Sequence, residues 1–271
     1  MTEAAPLAQP PAPRSLNAVR WTGFSTIVIR EYSRIVRIWG QTLVPSAVTA
    51  ILYFVIFGSL IGRRVGLMGG FGYMQYIAPG LIMMSVITNS YGNVVSSFFG
   101  AKFGKHVEEL LVSPLPNWII VTGYTAGGLM RGAMVGGVVT LVSLVFARLP
   151  VQHLGLALTA VLLTSMVFSL GGFINAVFAK NFDQVNWIPA FILTPLTYFG
   201  GVFYSVSMLP PWARSLSHVN PILHMVNAFR YGFLGVSDVN VPLAFGITGA
   251  LAVVLFGVAL SLMNRGVGIR D

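Results

Sequence analysis

Cysteine is absent from the chain, so there is no disulfide framework, no thiolate metal site and no cysteine nucleophile. Charge is nearly as scarce. Asp, Glu, Lys and Arg make up 8% of the 271 residues, where a soluble domain carries about a quarter. So few charged side chains cannot cover a water-soluble fold of this size. The carboxylates are Glu3, Glu31, Glu108, Glu109, Asp183, Asp238 and Asp271, and all lie outside the long apolar runs. Carriers coupled to protons or sodium place ionisable groups at membrane depth, so this distribution argues against secondary transport and against an intramembrane aspartyl protease. His106, His153, His218 and His224 also lie outside the runs, and no two stand at i, i+4, so no metal site is expected.

Nucleotide motifs are missing too. Gly100-Ala-Lys-Phe-Gly104-Lys105-His106 resembles a phosphate loop but has one residue too few between its glycines and lacks the Ser or Thr that holds Mg²⁺. Ser169-Leu-Gly171-Gly172 lies deep in an apolar run, and there is no G-x-S-x-G elbow. An enzyme of lipid metabolism is disfavoured because no acid, base and nucleophile cluster appears. No cofactor is expected on this chain.

What is present is apolar. Hydrophobic residues make up 55%, and the mean hydropathy is +0.80. The fold class is all-α integral membrane, because the runs lack the alternation of a strand barrel. Six spans are expected at about 43–62, 77–99, 118–146, 154–178, 187–204 and 242–264, each long enough for about 30 Å of hydrocarbon. They form a single transmembrane domain over 43–264. Residues 1–16 are rich in Ala and Pro and read as a disordered head. Residues 265–271 read as a cytoplasmic tail.

The net charge of +9 points to a basic cytoplasmic face rather than to nucleic acid. With the N-terminus inside, ten basic residues fall on inner segments: Arg14, Arg20, Arg30, Arg34, Arg37, Lys102, Lys105, Lys180, Arg265 and Arg270. Five fall outside: Arg63, Arg64, Arg148, Arg214 and Arg230. This favours both termini in the cytoplasm, although the Arg63–Arg64 pair runs against the rule.

Residues 17–40 read as an interfacial amphipathic helix. Arg30, Arg34 and Arg37 share one face with Glu31 at its edge, and Val28, Tyr32, Ile35, Val36 and Trp39 lie opposite. The arginines should point to phosphate and water, with Trp39 at headgroup depth. In the second span Ser85, Asn89, Asn93 and Ser96 share a face, which serves either helix–helix hydrogen bonding or a substrate path. In the third, Gly128, Gly132 and Gly136, with Gly123 and Gly127, form stripes for close helix packing. Arg131 lies among them and either snorkels or contacts substrate. The fifth span carries Pro189 and Pro195 and ends in Tyr198-Phe-Gly-Gly-Val-Phe203-Tyr204, a kinked or bendable outer end and a further part of the candidate path. Residues 205–235 are too polar for a seventh span and too apolar for a free loop, and read as short re-entrant helices in the outer leaflet.

After the second span, Gly104-Lys-His106-Val-Glu108-Glu109-Leu110-Leu111-Val-Ser113-Pro114 reads as a short cytoplasmic helix stopped by Ser-Pro. Its acidic and apolar surface suits insertion into a groove on another protein.

The order E-E-L-L-V-S-P-L-P, then T-P-L-T-Y-F-G-G-V-F-Y-S, then L-S-H-V-N-P-I-L-H-M-V-N-A-F-R-Y-G-F-L-G, behind an N-terminal interfacial helix, resembles the permease subunits of type-2 ABC transporters, and among them the YadH-like bacterial inner-membrane permeases. The resemblance covers about residues 17–268. It implies a six-span fold in the bacterial inner membrane, used as a dimer and driven by two separate ABC ATPase subunits that use ATP and Mg²⁺. It implies that 104–113 is the coupling helix, and that 205–235, with His218, Asn220, Pro221, His224 and Arg230, forms the outer gate. It implies export of lipids, glycans or hydrophobic drugs. The competing reading is an ATP-independent channel, scramblase or scaffold.

Overall fold

The computed structural model describes residues 15–58 and 62–268. The expected disordered head, up to residue 14, and the last three residues of the tail lie outside the described residues. Residues 15 and 16 belong to the first helix instead: Ser15 caps α1, Leu16–Arg37, by accepting from Ala18 N–H. A break at Ile38 separates α1 from α2, Trp39–Ile56. One turn, α3 (Gly62–Val65), and a two-residue hairpin of β1 (Leu67–Met68) and β2 (Phe71–Gly72) lead into α4, Tyr73–Phe103. Then come α5 (His106–Val112), α6 (Asn117–Phe146) and α7 (Leu154–Phe178). The segment after α7 is broken into α8 (Phe182–Ile188), a π turn over Pro189–Leu193 and α9 (Thr194–Tyr198). A 3₁₀ turn at Val206–Met208, α10 (Pro211–Val219), α11 (Pro221–Leu234) and α12 (Val241–Arg265) complete the chain.

Among the described residues, four helices are long and apolar enough to cross a membrane: α2, α6, α7 and α12. The segment expected as the second span folds as α4, a 31-residue helix that is not among these four, since its Ser and Asn residues hold its hydropathy down. The expected fifth span is corrected. Its helix starts at Phe182 and stops at Tyr198, with a π turn that opens at Pro189, while Pro195 falls in the first turn of α9. Phe203 and Tyr204 lie in the following loop, outside any helix.

Glycine sets the packing. On one side of α6, a Cβ at Gly136 would stand 2.8 Å from Val86, and one at Gly128 would stand 2.7 Å from Val94. Gly132 and Gly128 are likewise closed by Ser90 and Ser169. This stripe therefore draws α4 and α7 onto α6. The second pair serves another partner: Cβ atoms at Gly123 and Gly127 would meet Ile27 at 2.7 Å and Glu31 at 2.8 Å. Gly23, a turn earlier in α1, is closed by Leu115 just before α6. Three contacts in ascending order on both segments mean that α1 runs lengthwise beside the start of α6.

Gly80 of α4 rests on backbone, since a Cβ there would lie 2.9 Å from Cα of Val202 and closer still to its carbonyl oxygen. Backbone cannot yield as a side-chain tip does. Gly80→Ala should cost about 1–3 kcal/mol, read as a lower midpoint in SDS unfolding of the purified chain. An unchanged midpoint would show that α4 and the 199–205 loop separate easily.

Candidate functional site

The α5 segment is built by reversal. Gly104 closes α4 through its N–H to Gly100 O at 3.0 Å. Lys105 takes a left-handed conformation, φ 58°, and turns the chain into α5. Ser113 ends the helix, its Oγ donating to Leu110 O at 2.6 Å, and Pro114 follows. Val107 is buried and Leu110 and Leu111 are half-buried against the chain's own core. These three stand at i, i+3 and i+4, the face that a short amphipathic helix lays down on its support. His106, Glu108 and Glu109 are exposed, as is Val112 at 88%. Phe103, at the end of α4, is 65% exposed. The apolar surface free for a partner is thus Phe103 and Val112 more than the expected Leu110 and Leu111.

The polar face of α4 finds partners within the chain. Ser85 Oγ donates to Leu81 O at 3.0 Å. Asn89 Nδ2 donates to Ser85 O at 3.0 Å and reaches Ser46 Oγ of α2 at 3.3 Å. Ser85 and Asn89 also line a groove of about 300 Å³ between α2 and α4, whose far wall is Gln41, Thr42, Ser46 and Thr49. Asn93 and Ser96 are drawn elsewhere, to α1.

There the expected interfacial face is turned over. Glu31 is 1% exposed and Ile27 and Ile35 are buried, whereas Tyr32, Val36 and Trp39 are exposed. Glu31 therefore lies at the centre of the face packed on protein, rather than at the edge of a solvated one. Arg34 turns inward with it: Nη2 lies 2.9 Å from Glu31 Oε2, 2.8 Å from Asn93 Oδ1 and 3.1 Å from Asn93 O, and Nη1 reaches Ser96 Oγ at 3.4 Å. Asn93 Nδ2 donates to Glu31 at 3.2 Å, and Ser97 Oγ donates to its other oxygen. Arg131 of α6 is half-buried beside this cluster and joins none of these bonds.

At the other end of α4 a second polar cluster forms. Arg230 is fully buried on α11. It donates to Gly201 O at 2.7 Å, Asn227 Oδ1 at 3.2 Å and Tyr76 O at 3.3 Å, and its guanidinium lies 4.1 Å from the Tyr76 ring centre. Asp238 accepts from Tyr76 Oη at 3.0 Å, Ser205 Oγ at 2.8 Å and Val206 N at 3.0 Å, while its own N–H reaches Asn227 Oδ1 at 2.9 Å. Asn220 caps α11 by accepting from Ile222 N–H and donates to Leu196 O at 2.6 Å, with Pro221 as the first helical residue. His224 is buried and its Nε2 lies 2.9 Å from His218 O, but the His218 ring is exposed. Tyr198 is exposed at 44%, with its ring stacked on Phe203 at 5.7 Å, and Tyr204 is half-buried. The five candidates of 205–235 therefore share one region, but only Arg230 enters the charged network.

A sequence profile of ABC-2 type transporters matches residues 22–234. The chain belongs to the ABC-2 type transporter family. It is 52% identical over 251 residues to the inner membrane transport permease YadH of Escherichia coli K12, covering 93% of this chain and 98% of that one. It is 26% identical over 219 residues to nodulation protein J of Rhizobium leguminosarum bv. viciae, covering 79% and 83%. It is an inner-membrane transport permease.

Several side chains of these polar clusters escape a reading of one helix at a time. Thr42, Ser46 and Thr49 of α2 follow a period of three to four residues and face Ser85 and Asn89; that spacing was available as a signal. Tyr76 gave none, because it meets Arg230 across 154 positions and Asp238 across 162 positions in sequence.

Proposed function

We propose that this permease is the membrane subunit of an ATP-driven exporter. Six spans, formed by α2, α4, α6, α7, the broken α8–α9 segment and α12, carry it across the bilayer with both termini and α5 in the cytoplasm. The α10–α11 pair dips into the outer leaflet and gates the exit. Two copies enclose the path and two separate ATPase subunits drive it, holding the ATP and Mg²⁺ that this chain has no motif to hold. The cargo is amphipathic, and the α2–α4 groove, with Ser85 and Asn89 on one wall, contributes to its route.

The observation that carries this reading is α5. It is a short helix held rigidly by Val107, Leu110 and Leu111, with Glu108, Glu109 and Val112 free of the chain's own core. A rigid knob with a free apolar tip and an acidic rim suits a groove on a soluble partner. Burial of the tip supplies affinity, while the charges set register.

Val112→Asp should lower capture of the ATPase by about tenfold, the equivalent of losing one buried aliphatic side chain, at unchanged membrane level. Leu110→Asp should instead lower the amount of folded permease, because that side chain supports α5 from beneath. Glu108→Ala should weaken capture mildly, in a salt-dependent way. Wild-type capture by Val112→Asp and Phe103→Asp alike would remove α5 as the coupling element.

A groove open within a single copy also suits an ATP-independent channel or scramblase. Lipid or cargo movement in vesicles holding the permease alone, without ATP, would favour that reading.

A further inference from the structure

The seam between α1 and α6 carries an unbalanced positive charge. The contacts of Gly123 with Ile27 and of Gly127 with Glu31 set α1 and α6 side by side and in the same direction. Arg34, three residues beyond Glu31, and Arg131, four beyond Gly127, therefore reach the same level, and their like charges lie within repulsive range of one another. Among the described residues the one carboxylate in the seam is Glu31, and it is already engaged by Arg34, Asn93 and Ser97. Arg131 makes no hydrogen bond among the described residues, and its Nε is buried without an acceptor. Arg34 Nε is in the same condition. A cation half withdrawn from water, with a buried Nε that finds no acceptor, favours an anion beside it.

The depth of the seam points to the class of anion. At 31 and 30 residues, α4 and α6 are about 45 Å long, roughly 15 Å more than the hydrocarbon core. Asn93 stands ten residues before the end of α4 at Phe103, about 15 Å along the helix. With the overhang on the α5 side, Asn93 falls at the hydrocarbon edge and the backbone of Arg131, well into α6, lies about 6 Å deeper. Its side chain, tilted toward the helix N-terminus on the α5 side, reaches up to the lipid phosphates of the leaflet nearest α5. Exposed Tyr32, Val36 and Trp39 on α1 offer apolar surface beside them for acyl chains.

We propose that Arg131 and Arg34 form a binding site for the phosphate of an anionic phospholipid in that leaflet. Arg131 supplies the planar fork that a phosphate accepts in two hydrogen bonds, and Arg34 adds its free Nε. Binding is read without any ATPase, so failure here leaves the export reading standing.

The test titrates short-chain phosphatidylglycerol, short-chain diacylglycerol and inorganic phosphate separately into the full-length permease, with native mass spectrometry as readout. The wild type should bind phosphatidylglycerol and not diacylglycerol. Arg131→Gln should bind phosphatidylglycerol about tenfold more weakly, the loss of one charged hydrogen-bonding group. Arg131→Lys should fall between, since an ammonium keeps the charge but not the fork. Arg214→Gln, on exposed α10, should bind as wild type. Competition by inorganic phosphate would show that the seam reads the phosphate alone. Its failure to compete would show that acyl chains contribute, and either result supports the site. Wild-type affinity in Arg131→Gln, or equal binding of diacylglycerol, would overturn it. Should Arg131→Gln not fold, undiminished affinity in Arg131→Lys would overturn it as well.

Discussion

Replacing Arg230 with alanine should cost the permease about 3–5 kcal/mol, the range for breaking a buried charge network by removing one member. The side chain is fully buried and holds three acceptors from three parts of the chain: Gly201 O, Tyr76 O and Asn227 Oδ1. Its loss takes a donor from each of these acceptors, although Asn227 Oδ1 keeps the Asp238 N–H, and removes the cation facing the Tyr76 ring. The Asp238 carboxylate, held by Tyr76, Ser205 and Val206, then lacks the positive charge opposite it. The measurement is the SDS-unfolding midpoint, with monodispersity in mild detergent as a second readout. Arg230→Lys should recover only part of the loss, because one ammonium cannot reach three diverging acceptors. Asp238→Ala combined with Arg230→Ala should cost less than the sum of the single changes, since both belong to one network. A midpoint for Arg230→Ala equal to wild type would show that water enters and replaces the guanidinium.

Glu31→Ala should be comparably severe at the opposite end of α4. The carboxylate is 1% exposed and neutralises Arg34 at 2.9 Å. Without it, two arginines face each other across the α1–α6 seam, and Ser97 and Asn93 lose their acceptor. The expected cost is again about 3–5 kcal/mol, with α1 detaching first, visible as faster trypsin cleavage at Arg20 and Arg30. Glu31→Gln keeps acceptors for Ser97 and Arg34 and should be milder. Removing both charges in Glu31→Ala/Arg34→Met should restore much of the loss, because no buried arginine is then left without its counter-charge at that position. No recovery in the double variant would mean that Glu31 acts through packing on Gly127 rather than through charge.

Much of the helical framework was legible because it depends on local pattern. The apolar runs gave the third, fourth and sixth expected spans close to their bounds, as α6, α7 and α12. The glycine spacing announced close packing on α6, and both stripes are used, by different partners. The α5 segment was marked by Gly104 on one side and Ser113-Pro114 on the other. Ends depend on capping and on neighbours, and these were less legible. Ser15 starts α1 earlier than composition suggested, and the π turn at Pro189–Leu193 divides what hydropathy reads as one span.

The polar clusters were harder to read, for a physical reason. A helical wheel orders side chains around an axis but does not say which side meets protein. Arg30, Arg34 and Arg37 made the arginine face look solvated, yet Glu31 and Arg34 turn toward α4, where Asn93, Ser96 and Ser97 complete the pair. The same ambiguity assigned Leu110 and Leu111 to a partner when their own core holds them. In the 205–235 segment, proline, histidine and arginine marked the region. Asp238, which anchors the neighbouring loop, lay just beyond its edge.

Viewed mechanically, α4 is a strut with a joint at one end. At its foot, Lys102 grips the end of α7, donating to Val177 O at 2.6 Å and to O of Ala179, the residue after the helix, at 2.9 Å, beside the turn into α5. At its head, Tyr76 enters the Arg230–Asp238 cluster. Between them the helix is continuous except at Pro79, whose missing N–H loosens a single turn just below Tyr76. A load applied at α5 therefore travels about 35 Å from Lys102 to Pro79 at 1.5 Å per residue with α4 and α7 moving together. It is converted into rotation only where the chain can bend, directly beneath the latch that ties α4 to the 199–206 loop and α11.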